Sequence, residues 1–170
     1  MGASKEIELK PVRLISDSPA ETVRIAARLA ELLRAGDVIA LQGTLGAGKT
    51  WFVKGLARGL GVKDPRAVTS PSFVLMREYR GRLALYHFDA YRLENEREME
   101  EIGCYEIFES GGVSVVEWAN HVPRCLPREH LLIIFRVTGE SRRELLIAGV
   151  GPGPLSRMNE IAEALKQWQV

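Results

Sequence analysis

"GTLGAGKT", Gly43 to Thr50, is the stretch that decides how this chain is read. Gly43, Gly48, Lys49 and Thr50 fit the pattern G-x-x-x-x-G-K-[ST]. In it the glycines let backbone N–H groups curl around a β-phosphate, and the start of a helix adds its partial positive charge. Lys49 then reaches the β- and γ-phosphates, the Thr50 hydroxyl ligates Mg²⁺, and Leu45, Gly46, Ala47 and Trp51 complete the main-chain cradle. A glycine-rich turn without a ligand shares this composition, so the flanks matter. "DVIALQ" (37–42) is an apolar run of the kind shown by a strand buried on both faces, and "KTWFVKGLARGLG" (49–61) reads as a helix closed by Gly61. The motif therefore falls at the strand-to-helix junction that phosphate binding demands.

Working outward, "EIELKPVRLIS" (6–16) alternates as an edge strand does, with Pro11 arguing against a central place. "SPAE" (18–21) is a capping box with Pro19 at the first helical position. Ile25, Ala26, Leu29, Leu32 and Leu33 form the apolar face of a helix that Gly36 should end. "FVLMREY" and "RLALYHFD" flank Arg80-Gly81 as a hairpin. "ENEREMEEIG" reads as a surface helix, "VSVVEW" as a buried strand, and "HLLIIFRV" and "RELLIAGV" as strands around a "TGESR" turn. "PLSRMNEIAEALKQW" (154–168) closes the chain as one amphipathic helix. Strands and helices alternate, which predicts one P-loop-type three-layer α/β/α domain over residues 1–170, with a mostly parallel central sheet and an added antiparallel hairpin.

Composition narrows the function. The 170 residues carry 23 Lys and Arg against 22 Asp and Glu, a formal charge of +1, so no global positive field recruits nucleic acid. Cys104 and Cys125 form no CxxC pair and read as buried thiols. "MGASKEIELK" has no apolar leader core, and no stretch approaches the ~18 apolar residues of a membrane span, so a cytoplasmic location and no membrane contact are expected. His87, His121 and His130 lack metal-ligand spacing.

Phosphoryl transfer needs a carboxylate near the metal and a group that positions the nucleophile, both at the carboxyl ends of strands beside the loop. Asp89 ends "LALYHFD" and Glu117 ends "VSVVE". A strand-end acid can also cap a helix or pair with Arg92. For Glu117, a charge after an apolar strand needs a partner, and Mg²⁺ supplies one. "VTSPSF" (68–73) carries Thr69 and Ser70, which either sense a γ-phosphate, as switch segments do, or belong to a plain S-P turn.

"LGAGKT", "TSPSF", "HFDAYRL" and "VEW", in that order, together resemble the TsaE family, the small bacterial ATPases of tRNA threonylcarbamoyladenosine biosynthesis. The resemblance runs from about residue 16 to about residue 143 and leaves out the segment from Pro154 onward. It implies ATP as nucleotide, Mg²⁺ held by Thr50 and Glu117, Asp89 as a second acid acting on the nucleophile or through water, and Lys49, Asp89 and Glu117 as the catalytic set. Thr69 and Ser70 map to the switch-like segment, and Trp118 neighbours the metal acid. It further implies docking on the threonylcarbamoyl-transferase heterodimer of TsaB and TsaD type, with tRNA engaged indirectly and ATP turnover resetting or releasing that machine. The chain departs from the family at Thr44, where an acid is common, and at Trp51, where a second hydroxyl is common. Trp51 is expected to pack under the helix, and Arg142 or Arg143 either approaches the nucleotide or, the favoured reading, sits at a solvated hairpin tip. Two other readings remain. One is a small-molecule or nucleotide kinase, although no lid insertion is visible. The other is a nucleotide-gated binding module with incidental hydrolysis; a GTPase version lacks N-K-x-D.

Overall fold

The computed structural model describes residues 10–170. Seven strands form one sheet in the order β1-β7-β6-β2-β5-β4-β3. The strands are β1 (Val12–Ser16), β2 (Val38–Gln42), β3 (Met76–Tyr79), β4 (Leu85–Asp89), β5 (Val113–Glu117), β6 (His130–Val137) and β7 (Arg143–Val150). The four central strands β6, β2, β5 and β4 run parallel. Antiparallel pairing lies on both flanks: β3 against β4, and β1 against β7 against β6. β1 is an edge strand, and Pro11 stands just before it rather than within it; residues 6–9 of the stretch from which it was read lie outside the described residues.

Helices cover both faces, and the alternation of the central strands divides the core in two. Ile39 and Leu41 of β2, Val113 and Val115 of β5 and Leu85 of β4 face α1 (Pro19–Ala30) and α2 (Lys49–Gly59), burying Ile25, Leu29, Phe52 and Leu56. The alternate residues Val38, Ala40, Val116 and Phe88 face α3 (Glu96–Glu101) and α4 (Cys104–Phe108). The two cysteines meet on that second side, both buried and free, and burial pushes the Cys104 thiol up to about 12.

α2 is set against α1 at close range. A Cβ on Gly55 would stand 2.4 Å from the Val23 carbonyl oxygen, and one on Gly59 2.3 Å from that of Ala27, so only glycine permits this approach. α2 ends as expected at Gly61, where Gly61 N–H bonds the Arg58 carbonyl and Val62 N–H bonds that of Ala57.

Two expectations give way. α1 stops at Ala30, six residues short of Gly36, and hydrogen-bonded turns carry the chain on through Leu33. The C-terminal segment is not one helix: α5 (Pro152–Ser156) and α6 (Met158–Ala164) are separated at Arg157, and a 3-10 turn follows at Lys166–Trp168. Arg157 grips both Asp37 carboxylate oxygens at 2.8 and 3.0 Å and the Leu32 carbonyl at 2.7 Å, which pins the chain where a straight helix would carry it away. The apolar residues still turn inward, with Met158, Ile161 and Leu165 buried.

Candidate active site

The turn between β2 and α2 carries its glycines where the backbone needs them. Gly48 sits at φ +104° as the N-cap of α2, a conformation that a side chain would strain, and it brings no capping group of its own. The first turn of α2 contains no acid, so the N–H groups of the helix start are available to an anion. Ala47 is fully buried beneath the loop, and Leu45 is exposed on its outer edge.

Lys49 is 5% exposed, and its ammonium donates to the carbonyls of Gly43 (2.7 Å) and Thr44 (2.9 Å) while lying 4.0 Å from the Trp118 ring centroid. Burial lowers its pKa, and the nearby charges of Glu117 and Asp89 oppose that shift. The Thr50 hydroxyl donates to Glu117 Oε1 at 2.8 Å.

Both predicted acids stand at strand ends beside the loop. β4 and β5 pair in parallel with Asp89 level with Glu117, so the two carboxylates share one edge of the sheet. Glu117 is 2% exposed and Asp89 6%. Asp89 Oδ1 accepts the Tyr91 N–H at 2.9 Å, and Oδ2 accepts the Ser70 hydroxyl. Asp89 therefore does not pair with Arg92, whose guanidinium lies over the Phe73 ring.

These groups line one cleft of about 400 Å³, from the loop 45–51 across to Ser70, Asp89, Glu117 and Trp118. Of the two switch-segment hydroxyls, Ser70 reaches the cleft and Thr69 turns away to accept a bond from Arg77 at 3.2 Å. Ser72, Tyr91 and Arg92 also line it; they lie within the "TSPSF" and "HFDAYRL" elements, which gave them no role in the site. Trp118 adopts φ +58° immediately after β5, a left-handed backbone rare for a bulky residue, and stacks between Tyr91 (4.8 Å) and His121 (5.3 Å).

Two loop residues depart from expectation. Trp51 is not packed under α2: it is 46% exposed at the mouth of the cleft, with the Lys54 ammonium over its ring, because the inner face of α2 is already filled by Phe52, Val53 and Leu56. Arg143 is not a free hairpin tip: it donates to the Gly46 carbonyl at 3.2 Å, bringing the β6–β7 turn over the phosphate loop. A smaller hollow of about 130 Å³ lies between Gly46, Gly48 and Trp51 on one side and Glu140, Ser141 and Arg143 on the other. Arg142 pairs outward with Asp17 at 3.4 Å.

The profile of the family described as "Threonylcarbamoyl adenosine biosynthesis protein TsaE" matches residues 16–145. The chain belongs to the TsaE family. Relatives named tRNA threonylcarbamoyladenosine biosynthesis protein TsaE bear this out. The one from Bacillus subtilis is 43% identical over 144 residues, 84% of this chain and 89% of the relative. The one from Treponema pallidum is 43% identical over 137 residues, 81% of this chain and all of the relative. A crystal structure of Bacillus subtilis YdiB superposes with a TM-score of 0.73 at 36% identity, covering 94% of this chain and 96% of that one. The TsaE family belongs to tRNA threonylcarbamoyladenosine biosynthesis, and its P-loop-like α/β fold is the fold described above. No helix among the described residues of this TsaE-family chain is long and apolar enough to cross a membrane.

Proposed function

We propose that this chain binds and hydrolyses ATP with Mg²⁺, and that it does so in support of the TsaB/TsaD-type heterodimer that transfers a threonylcarbamoyl group to tRNA. The observation that carries the reading is the 2.8 Å contact between Thr50 Oγ1 and Glu117 Oε1 at the start of α2. The bond brings together a hydroxyl and a carboxylate, the oxygen donor types that a magnesium ion takes, at the mouth of the phosphate loop. Thr50 and Glu117 would hold the ion, which would supply neutralisation of the phosphate charge.

The rest is the work of the chain's own groups. Main-chain N–H groups from Leu45 to Trp51 receive the phosphate oxygens, aided by the positive end of α2. Lys49 exchanges the two loop carbonyls for phosphate oxygens, which removes the uncompensated burial of its charge. Asp89, held by Ser70 and Tyr91, faces the cleft and orients the attacking water; the same two contacts couple the segment around Ser70 to the γ-phosphate. Among the described residues the arginine that lines the cleft is Arg92, which is turned onto Phe73, so turnover by the isolated chain is slow and rises with the heterodimer. Engagement of tRNA is indirect, through that partner, and the location is the cytoplasm, where tRNA is modified.

The test is ATP loss measured for the chain alone, with the heterodimer, and with small acceptor alcohols or nucleosides. Stimulation by the heterodimer alone supports the reading. Stimulation by an acceptor would establish a kinase instead. Glu117→Ala should abolish turnover, and if docking to the heterodimer with ATP survives in that variant, binding and hydrolysis are separable steps.

A further inference from the structure

His87 is fully buried in the middle of β4, and neither of its ring nitrogens has a hydrogen-bond partner. A neutral imidazole carries one N–H and one lone pair, and leaving such groups unmet inside a protein is costly. Packing gives no reason for the ring. The residue two before it on the same face of β4 is Leu85 and the residue level with it on β5 is Val115, both fully buried, so an aliphatic side chain would fill the position without that cost. What distinguishes the position is its neighbour. Strand alternation puts His87 and Asp89 of β4 on the same face as Val115 and Glu117 of β5, and His87 Nε2 lies 3.7 Å from Glu117 Oε1. That oxygen is the one bonded by Thr50.

At 3.7 Å the two atoms are in contact but not hydrogen-bonded; a small rotation of the carboxylate or the ring brings them to the ~2.8–3.0 Å of a bond. We propose that His87 is a positioning residue for Glu117: its Nε2–H donates to the carboxylate and fixes the direction in which that carboxylate presents an oxygen beside Thr50 to a divalent cation. Carboxylates that ligate metals are held in this way by buried donors, and loss of such a donor weakens metal affinity by about 10–100-fold. The proposal rests on the reading of Thr50 and Glu117 as the magnesium ligands and adds the group that aims one of them.

The experiment measures binding rather than turnover. Affinity for a fluorescent, non-hydrolysable ATP analogue is determined with EDTA and again with saturating Mg²⁺, and the ratio of the two is the contribution of the metal. Wild type shows a large ratio and Glu117→Gln a small one; a wild type indifferent to Mg²⁺ would remove the underlying magnesium reading, whatever His87 does. His87→Leu should lower the ratio about tenfold while leaving the EDTA affinity unchanged and the melting temperature equal to or above wild type, because an unpartnered polar ring has been replaced by an apolar group. His87→Gln, whose amide nitrogen falls near the Nε2 position, should recover the ratio to within about threefold, and His87→Asn, whose amide falls near Nδ1, should not. A wild-type ratio in His87→Leu, a fall in its EDTA affinity together with its stability, or equal recovery by Asn and Gln would each overturn the proposal.

Discussion

Two helices lie side by side in this molecule and begin in opposite ways. α1 starts at Ser18, whose hydroxyl accepts the Glu21 N–H at 3.1 Å, while the Glu21 carboxylate accepts the Asp17 N–H at 2.7 Å. α2 starts at a glycine in a left-handed conformation, with no side chain to offer its N–H groups and no acid to balance its dipole. One helix end is closed by its own sequence; the other is kept open at a cost of a few tenths of a kcal/mol in capping. Burial of the Lys49 ammonium beside it adds a further cost, only partly offset by Glu117 and Asp89. The difference teaches where stability is given up: the loop is poorly satisfied by itself, and on the proposed function an anion is what satisfies it.

The sharpest way to break this contrast is Lys49→Met. It should lower ATP affinity at least about 100-fold in a fluorescence titration, because a charged contact to phosphate is lost in a dry site, and yet raise the melting temperature by about 2–4 °C, because a buried charge becomes a thioether. A variant less stable than wild type would show that the lysine is a structural element of the loop and not a group held in reserve.

Gly55→Ala tests the contact between the two helices. Its Cβ would stand 2.4 Å from the Val23 carbonyl oxygen, so the helices must separate; a loss of about 2 kcal/mol in a urea melt is expected, with a measurable weakening of ATP binding because α2 carries the loop. Ser18→Ala should cost about 1 kcal/mol in the same melt and leave ATP affinity at the wild-type value, since the cap it removes serves α1 alone.

The smallest effect concerns β1, which leads into that cap. Glu144 accepts a hydrogen bond from Arg13 of β1 and faces Arg136 on β6, and the bond from Arg13 holds its carboxyl below the usual glutamate range. A carboxyl whose folded pKa is depressed contributes stability that is present above its ordinary value of about 4.3 and is lost as pH falls through the folded value. The urea midpoint of wild type should therefore decline more steeply than that of Glu144→Gln as the solution is acidified below pH ~4, with no difference in slope near neutrality.

What could be read from the sequence was what depends on local order. The phosphate loop needs glycine, lysine and threonine at fixed spacing between a strand and a helix, and Asp89 and Glu117 each stand at the end of an apolar run, so their chemistry is written next to their geometry. The cap at Ser18 and the stop at Gly61 are local for the same reason. The residues that escaped are placed by parts of the chain far away. Trp51 is displaced to the surface because Phe52, Val53 and Leu56 occupy the core side of α2. Arg143 reaches Gly46 only because β7 folds back along β6 and lifts the turn over the loop. The break at Arg157 is set by Asp37, 120 residues earlier in the chain, and α4 is too short to announce itself by periodicity. His87 heads the "HFDAYRL" element, but no role for it could be read until the pairing of β4 with β5 put Glu117 beside it.

The bare backbone of Gly55 and Gly59 has a mechanical consequence. With no side chains between them, α1 and α2 are locked as one rigid block, and the phosphate loop is mounted on that block like a fixed jaw. The opposing jaw is the stretch from Ser70 to Leu75, fastened to the sheet through Asp89 by the Ser70 hydroxyl and the Asp89 N–H to Leu75 carbonyl bond. A load placed on the first jaw would thus pass outward through the second, whose outer side carries the exposed Phe73 and Val74.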